Sequence, residues 1–91
     1  MEVTGTIKHI GDLQKVSDKF QKQEFVLTID AGSPYPQHIQ FECKQNKTAL
    51  LIELNECDNV TVHFNLNGRE WNSANGIKYF NTLDAWKITK N

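Results

Sequence analysis

Cysteine is scarce in this sequence: Cys43 and Cys57 are the only two, and no C-x-x-C pair is present. Their spacing speaks against a zinc knuckle or a disulfide framework and fits two free thiols in a reducing compartment. No apolar run approaches the roughly 20 residues a membrane-spanning helix needs, so no membrane partner is expected. The opening Met1-Glu2-Val3-Thr4 lacks the basic-then-apolar pattern of a secretory signal, and the expected location is the cytoplasm. Catalytic spacings are missing as well. His9, His38 and His63 are scattered, with no H-x-x-x-H, no G-x-S-x-G and no glycine-rich phosphate cradle. Glu53 and Glu56 read as solvated carboxylates near a helix. No enzyme, metal site, cofactor or small-molecule substrate is therefore expected.

A charge excess of one sign is also lacking. Ten Lys and Arg stand against eleven Asp and Glu, for a net charge of −1. Strong counterion-release binding to a polyanion needs clustered cations, so any such binding must rest on local charge and on aromatic stacking. What is present is an ordinary globular balance, 38% hydrophobic and 23% charged, over 91 residues. That length suits one domain, residues 1–91, with one modest core.

The apolar residues alternate, which is the signature of half-buried strands. Val3, Gly5, Ile7 and His9 share one face of a first strand. Gly5 marks a bend or bulge in it, or is simply tolerated near the end. Phe25, Leu27 and Ile29 face inward from a second strand that starts at Glu24. Ala31 to Pro36 must turn, since both prolines lie there. Ile39, Phe41 and Cys43 then point inward from a third strand. Leu50, Leu51 and Leu54 take helical spacing over Asn46–Leu54, with Asn46 or Thr48 as cap and Asn55 as stop. Alternation returns with Val60, Val62, Phe64 and Leu66 inward. The last segment, Lys78–Thr89, departs from a clean period of two, which predicts a bulge near Leu83–Ala85 and Asp84 near the surface. The resulting order β-β-β-α-β-β is that of the OB-fold, an all-β, five-stranded, partly open barrel with one short helix.

Such a barrel takes ligands on the face of strands two and three, between the loop joining strands one and two and the loop joining four and five. Here those loops are Gly11–Gln23 and Asn67–Ile77. The first sets Lys15, Lys19 and Lys22 around Phe20, cations beside a ring that either stacks a base or folds onto the core; Asp12 and Asp18 dilute the charge. The second holds Arg69 and Trp71 and two Asn-Gly pairs. With Asn75-Gly76 as a two-residue turn, Ala74 faces Ile77 and Trp71 faces Phe80. Trp71 either stacks a base or packs inward, and Arg69 suits phosphate or a base face, or else pairs with a local carboxylate such as Glu70. Tyr35, between prolines, is a further stacking candidate or a wedged surface ring. Strands two and three offer Val26, Thr28, His38, Gln40 and Glu42 outward, a polar surface with few rings.

The chain resembles a family of short bacterial and phage OB-fold proteins of uncharacterised function related to single-stranded DNA-binding proteins. The resemblance rests on Gly5-Thr6-Ile7, Phe25-Val26-Leu27 and Tyr35-Pro36-Gln37 with Ile39-Gln40-Phe41-Glu42. It is strongest in Val60-Thr61-Val62-His63-Phe64-Asn65-Leu66, in Gly68-Arg69-Glu70-Trp71 and in Tyr79-Phe80-Asn81-Thr82-Leu83-Asp84-Ala85-Trp86-Lys87-Ile88. It implies an OB-fold and sequence-tolerant binding of single-stranded DNA. The alternatives are a protein-interaction module or a structural subunit of a replication or phage assembly. The residues do not separate DNA from RNA. Homo-oligomers are expected from open strand edges. Recruitment through a long acidic tail is not expected, since the sequence closes on Trp86-Lys87-Ile88-Thr89-Lys90-Asn91.

Overall fold

A computed structural model describes residues 1–91. The first alternating segment becomes β1 (Glu2–Ile10), followed by β2 (Gln14–Ser17), β3 (Phe20–Ile29) and β4 (Gln37–Lys44). A 3-10 helix (Gln45–Leu51) leads to the two long strands β5 (Asn59–Ser73) and β6 (Gly76–Lys90). The sheet runs β1-β5-β6-β4-β3-β2, and β1 also pairs with β3, which closes the ring. Closure is achieved by β1 changing partner: Glu2–Thr6 pair with β5, and Thr6–Ile10 pair with β3. The closing contact between β4 and β6 is parallel and holds at one residue pair, Glu42 with Asp84. This is the OB-fold, a partly open barrel.

Gly5 lies where β1 crosses between its partners. It is buried, and a Cβ there would sit 2.5 Å from the Thr28 carbonyl oxygen. Close approach of β1 to β3 is thus its role. The bulge itself falls later, between Ile7 and His9, so His9 turns outward and Ile10 packs against the core instead. The core is Ile7, Phe25, Leu27, Phe41, Cys43, Leu51, Val60, Val62, Phe64 and Ala85. Its centre is aromatic: Phe25 stacks on Phe41 at 5.3 Å, and Phe64 meets Phe41 edge-on at 5.2 Å. Each such fully buried ring stabilises the fold by roughly 1.5–3 kcal/mol in transfer energy.

Four expectations need correction. The segment Gly11–Gln23 is a β-hairpin, not a loop, and β3 starts at Phe20 rather than Glu24. Every side chain of β2 is exposed, so no apolar alternation could announce it. Its hairpin is tied down by Gln21, whose side chain donates to the Gln45 carbonyl at 3.1 Å and to Thr48 Oγ1 at 3.2 Å. The helix is a 3-10 turn, not an α-helix over Asn46–Leu54; Lys44 holds the cap position without a side-chain bond. Thr48 and Leu51 are buried three residues apart, the repeat of a 3-10 helix. Leu66 was expected inward but is exposed, because β5 and β6 outgrow the barrel beyond Phe64. Finally, the bulge in β6 is at Trp86, between Ala85 paired with Phe64 and Lys87 paired with His63. Asp84, one strand position from Ala85, is half-buried, near the surface as expected.

Candidate nucleic-acid interface

Beyond the barrel, β5 and β6 continue as a two-stranded ribbon. Its register corrects the expected turn: Ser73 pairs with Gly76, so Ala74-Asn75 forms the turn and Gly76 follows it at φ +118°. Ser73 Oγ donates to the Gly76 carbonyl at 2.8 Å, securing the end of the ladder. Trp71 therefore faces Lys78 and Arg69 faces Phe80, while Trp71 and Phe80 become diagonal neighbours. Side chains alternate across a strand. Asn67, Arg69 and Trp71 with Lys78, Phe80 and Thr82 continue the outer face of the barrel. Leu66, Glu70, Ile77 and Tyr79 occupy the opposite face.

The outer face of the ribbon curls over the outward side chains of β3 and β4. Between them runs a groove of about 350 Å³, lined by Phe20, Lys22, Glu42, Lys44, Arg69 and Phe80 together with Asn67, Gly68 and Thr82. Phe20 also borders a second groove of about 200 Å³ that holds Lys15, Lys19, Gln21 and Gln45. A third, of about 430 Å³, shares Glu42 and Thr82 with the first and reaches His38 and Gln40, where β4 and β6 diverge. Shared residues make these one continuous track across the molecule.

Of the residues singled out by sequence, Phe20, Lys22 and Arg69 converge on the first groove, and Lys15 and Lys19 line the second. Phe20 is half-buried at the junction, neither sunk in the core nor free in solvent. Trp71 is 53% exposed on the groove side of the ribbon, past the groove's end. Tyr35 lies apart: it is 80% exposed in the loop between β3 and β4 and lines none of the grooves. Sequence reasoning missed Lys44 and Phe80. Counting by twos from Glu42 would have turned Lys44 outward. Phe80 was hidden by the register error that made it the partner of Trp71.

The groove floor is a ladder of opposite charges. Lys22 Nζ lies 3.5 Å from Glu42 Oε1 and 3.7 Å from Glu24 Oε1. Lys44 Nζ lies 3.8 Å from Glu42 Oε2 and 3.2 Å from Asp84 Oδ1. Gln40 donates its side-chain amide to Glu24 at 2.8 Å, and Asn67 donates to Asp84 Oδ2. Asp84 Oδ1 is buried without a hydrogen bond and is balanced by the Lys44 charge alone. Beneath this ladder, burial, helped by the Asp84 charge, pushes the Cys43 thiol up to about 12, so this sulfur stays a neutral packing group. The cations at the rim, Lys15, Lys19 and Arg69, have no carboxylate within ion-pair distance. No group of three His, Cys, Asp or Glu side chains is placed to hold a metal ion.

Residues 2–89 match the model of a protein family described as a domain of unknown function, DUF3127. The chain belongs to the DUF3127 family. No curated protein sequence matches it. Several solved structures share the fold of this family member. The mitochondrial single-stranded DNA-binding protein of S. cerevisiae superposes with a TM-score of 0.73 at 11% identity, over 99% of this chain and 91% of that one. A Plasmodium falciparum SSB, solved in complex with ssDNA, gives 0.66 at 13% identity, over 100% and 92%. The small single-stranded DNA-binding protein of Streptomyces coelicolor gives 0.62 at 13% identity, over 100% and 92%. At such identities the likeness is one of fold, and it agrees with the OB barrel derived above.

Proposed function

We propose that this DUF3127 protein binds single-stranded nucleic acid, DNA foremost, without sequence preference, along the track under the ribbon. The observation that carries this reading is the first groove, where Phe20 and Phe80 flank a channel whose rim bears cations with no carboxylate partner. Rings in such a channel stack bases of any identity, and rim cations meet the phosphates between them. Phe20 and Phe80 take the stacking role, with Trp71 extending it along the ribbon; Lys15, Lys19 and Arg69 take phosphates. Tyr35 contributes only if the strand runs on past the loop between β3 and β4. The OB fold shared with structures named as single-stranded DNA-binding proteins supports the same reading.

The test is a fluorescence titration with dT oligomers at low salt, comparing the protein with its Trp71→Phe variant. Binding quenches emission, and the variant loses most of the quench because the other tryptophan, Trp86, lies at the β6 bulge away from the grooves. If the oligomer changes neither fluorescence nor electrophoretic mobility, the proposal fails. A parallel titration with rU oligomers separates DNA from RNA binding.

A second reading, a protein-interaction module or a subunit of a larger homo-oligomeric assembly, is supported by the other ribbon face. Ile77 and Tyr79 are 55% and 70% exposed there, and Leu66, 57% exposed, stands where that face meets the third groove. Sedimentation of the protein alone decides whether copies of the chain cover that face.

A further inference from the structure

We infer that Glu42 keeps phosphate off the floor of the groove, so that a bound strand lays its bases over β3 and β4 and its backbone along the rim; this deepens the proposed function and rests on it. The floor holds two ammonium groups, Lys22 and Lys44, against three carboxylates, Glu24, Glu42 and Asp84. It is therefore formally negative at its centre, in a groove that is otherwise basic at its edge. Glu42 is the central member. It alone touches both lysines, and its side chain is 17% exposed, so its charge is only partly screened by water.

A phosphate entering the floor would have to draw Lys22 or Lys44 away from its carboxylates. Each lysine taken leaves Glu42 less compensated, directly beside the incoming anion, and like charges at that spacing repel. The floor lysines are thus committed to holding the sheet together. Among the cations that line the two grooves, Lys15, Lys19 and Arg69 are the ones left for phosphates. The uncharged, stacking parts of the ligand belong over the floor, where Phe20 and Phe80 stand on either side. The net charge of −1 is then no obstacle to binding. It reflects a site in which stacking outweighs charge. Glu42 acts as a selectivity residue, making the groove poor for an uninterrupted array of phosphates.

The experiment is a salt titration of dT-oligomer binding by the intact chain and by Glu42→Gln, which keeps shape and hydrogen-bonding capacity. For single strands the slope of log K against log salt is about −0.7 per phosphate neutralised. Three rim cations predict a slope of about −2 for the native chain. In Glu42→Gln, Lys22 keeps Glu24 and Lys44 keeps Asp84, but the floor is no longer negative and admits phosphate, so the slope steepens from about −2 toward a limit of about −3.5. Its low-salt affinity also rises roughly fivefold, the effect of removing one unit charge about 4 Å from a phosphate in water. Glu24→Gln, at a more exposed rung, changes both quantities in the same direction by less, and it carries the test if Glu42→Gln misfolds. A native slope already near −3.5, or no steepening in either variant, overturns this inference while leaving the proposed function standing. Absence of binding by all three proteins overturns both.

Discussion

At the scale of single residues, the barrel turns on an atom that is missing. Gly5 has no Cβ, and an added one would lie 2.5 Å from the Thr28 carbonyl oxygen and 3.0 Å from side chains of both Leu27 and Ile29. The nearest of these is backbone, which cannot move aside without opening the β1–β3 seam. Gly5→Ala is therefore expected to destabilise the protein by about 1–3 kcal/mol, the usual cost of overpacking. Gly32→Ala, with no heavy atom within 4 Å of the added methyl, is the matched control and shifts the urea midpoint little. Equal midpoints for the two variants would show that β1 does not depend on this close approach. The glycine was visible in the sequence as an interruption of a strand, but its meaning was not. A bend and a close approach look alike until the partner strand is known.

At the scale of elements, what could be read from the sequence is what has one buried face. β1, β3, β4 and the first half of β5 alternate apolar with polar residues because one side packs on the core and the other meets water. β2 and the ribbon are exposed on both faces, so their residues carry no such period, and the sequence pattern alone yields a loop for the one and a shifted register for the other. The candidate site is built largely from those same elements. This is why Arg69 is found by residue type, whereas Phe80 emerges only with the register; Lys44, on β4, follows from the alternation of its own strand. The corrected register makes its own prediction. Phe80 is 48% exposed on the groove side of the ribbon, so it contributes little to packing. Phe80→Ala should weaken oligomer binding by about 1–3 kcal/mol, the loss of one stacked base, while leaving the urea midpoint nearly unchanged. A large loss of stability with unchanged affinity would instead place Phe80 among the structural residues of the ribbon.

At the scale of the whole molecule, the barrel has a wet end and a tied end. The ribbon and the grooves occupy the first; the second is drawn together around Asp58. The Asp58 carbonyl accepts from the Ile7 N–H at 2.9 Å, linking the approach to β5 with β1. Its carboxylate accepts from the Asn55 N–H at 2.9 Å and lies 3.4 Å from Lys90 Nζ at the end of β6. The backbone hydrogen bond from Asn55, assisted by Lys90, holds the Asp58 carboxyl below its ordinary value. A carboxylate depressed in the folded state contributes stability that is fully present above its unfolded pKa of about 4 and is lost as pH falls through the lower folded value. Melting temperatures of the protein and of Asp58→Asn should therefore differ at neutral pH and converge as the solution is acidified below about pH 4. The sign is specific. At neutral pH the native protein melts above the variant; were the Asp58 carboxyl raised instead, its ionised form would destabilise the fold and the native protein would melt below Asp58→Asn there. A gap that stays constant from neutral to strongly acid solution would show that the tied end is held by the Ile7–Asp58 backbone bond and its neighbours, without help from the carboxylate.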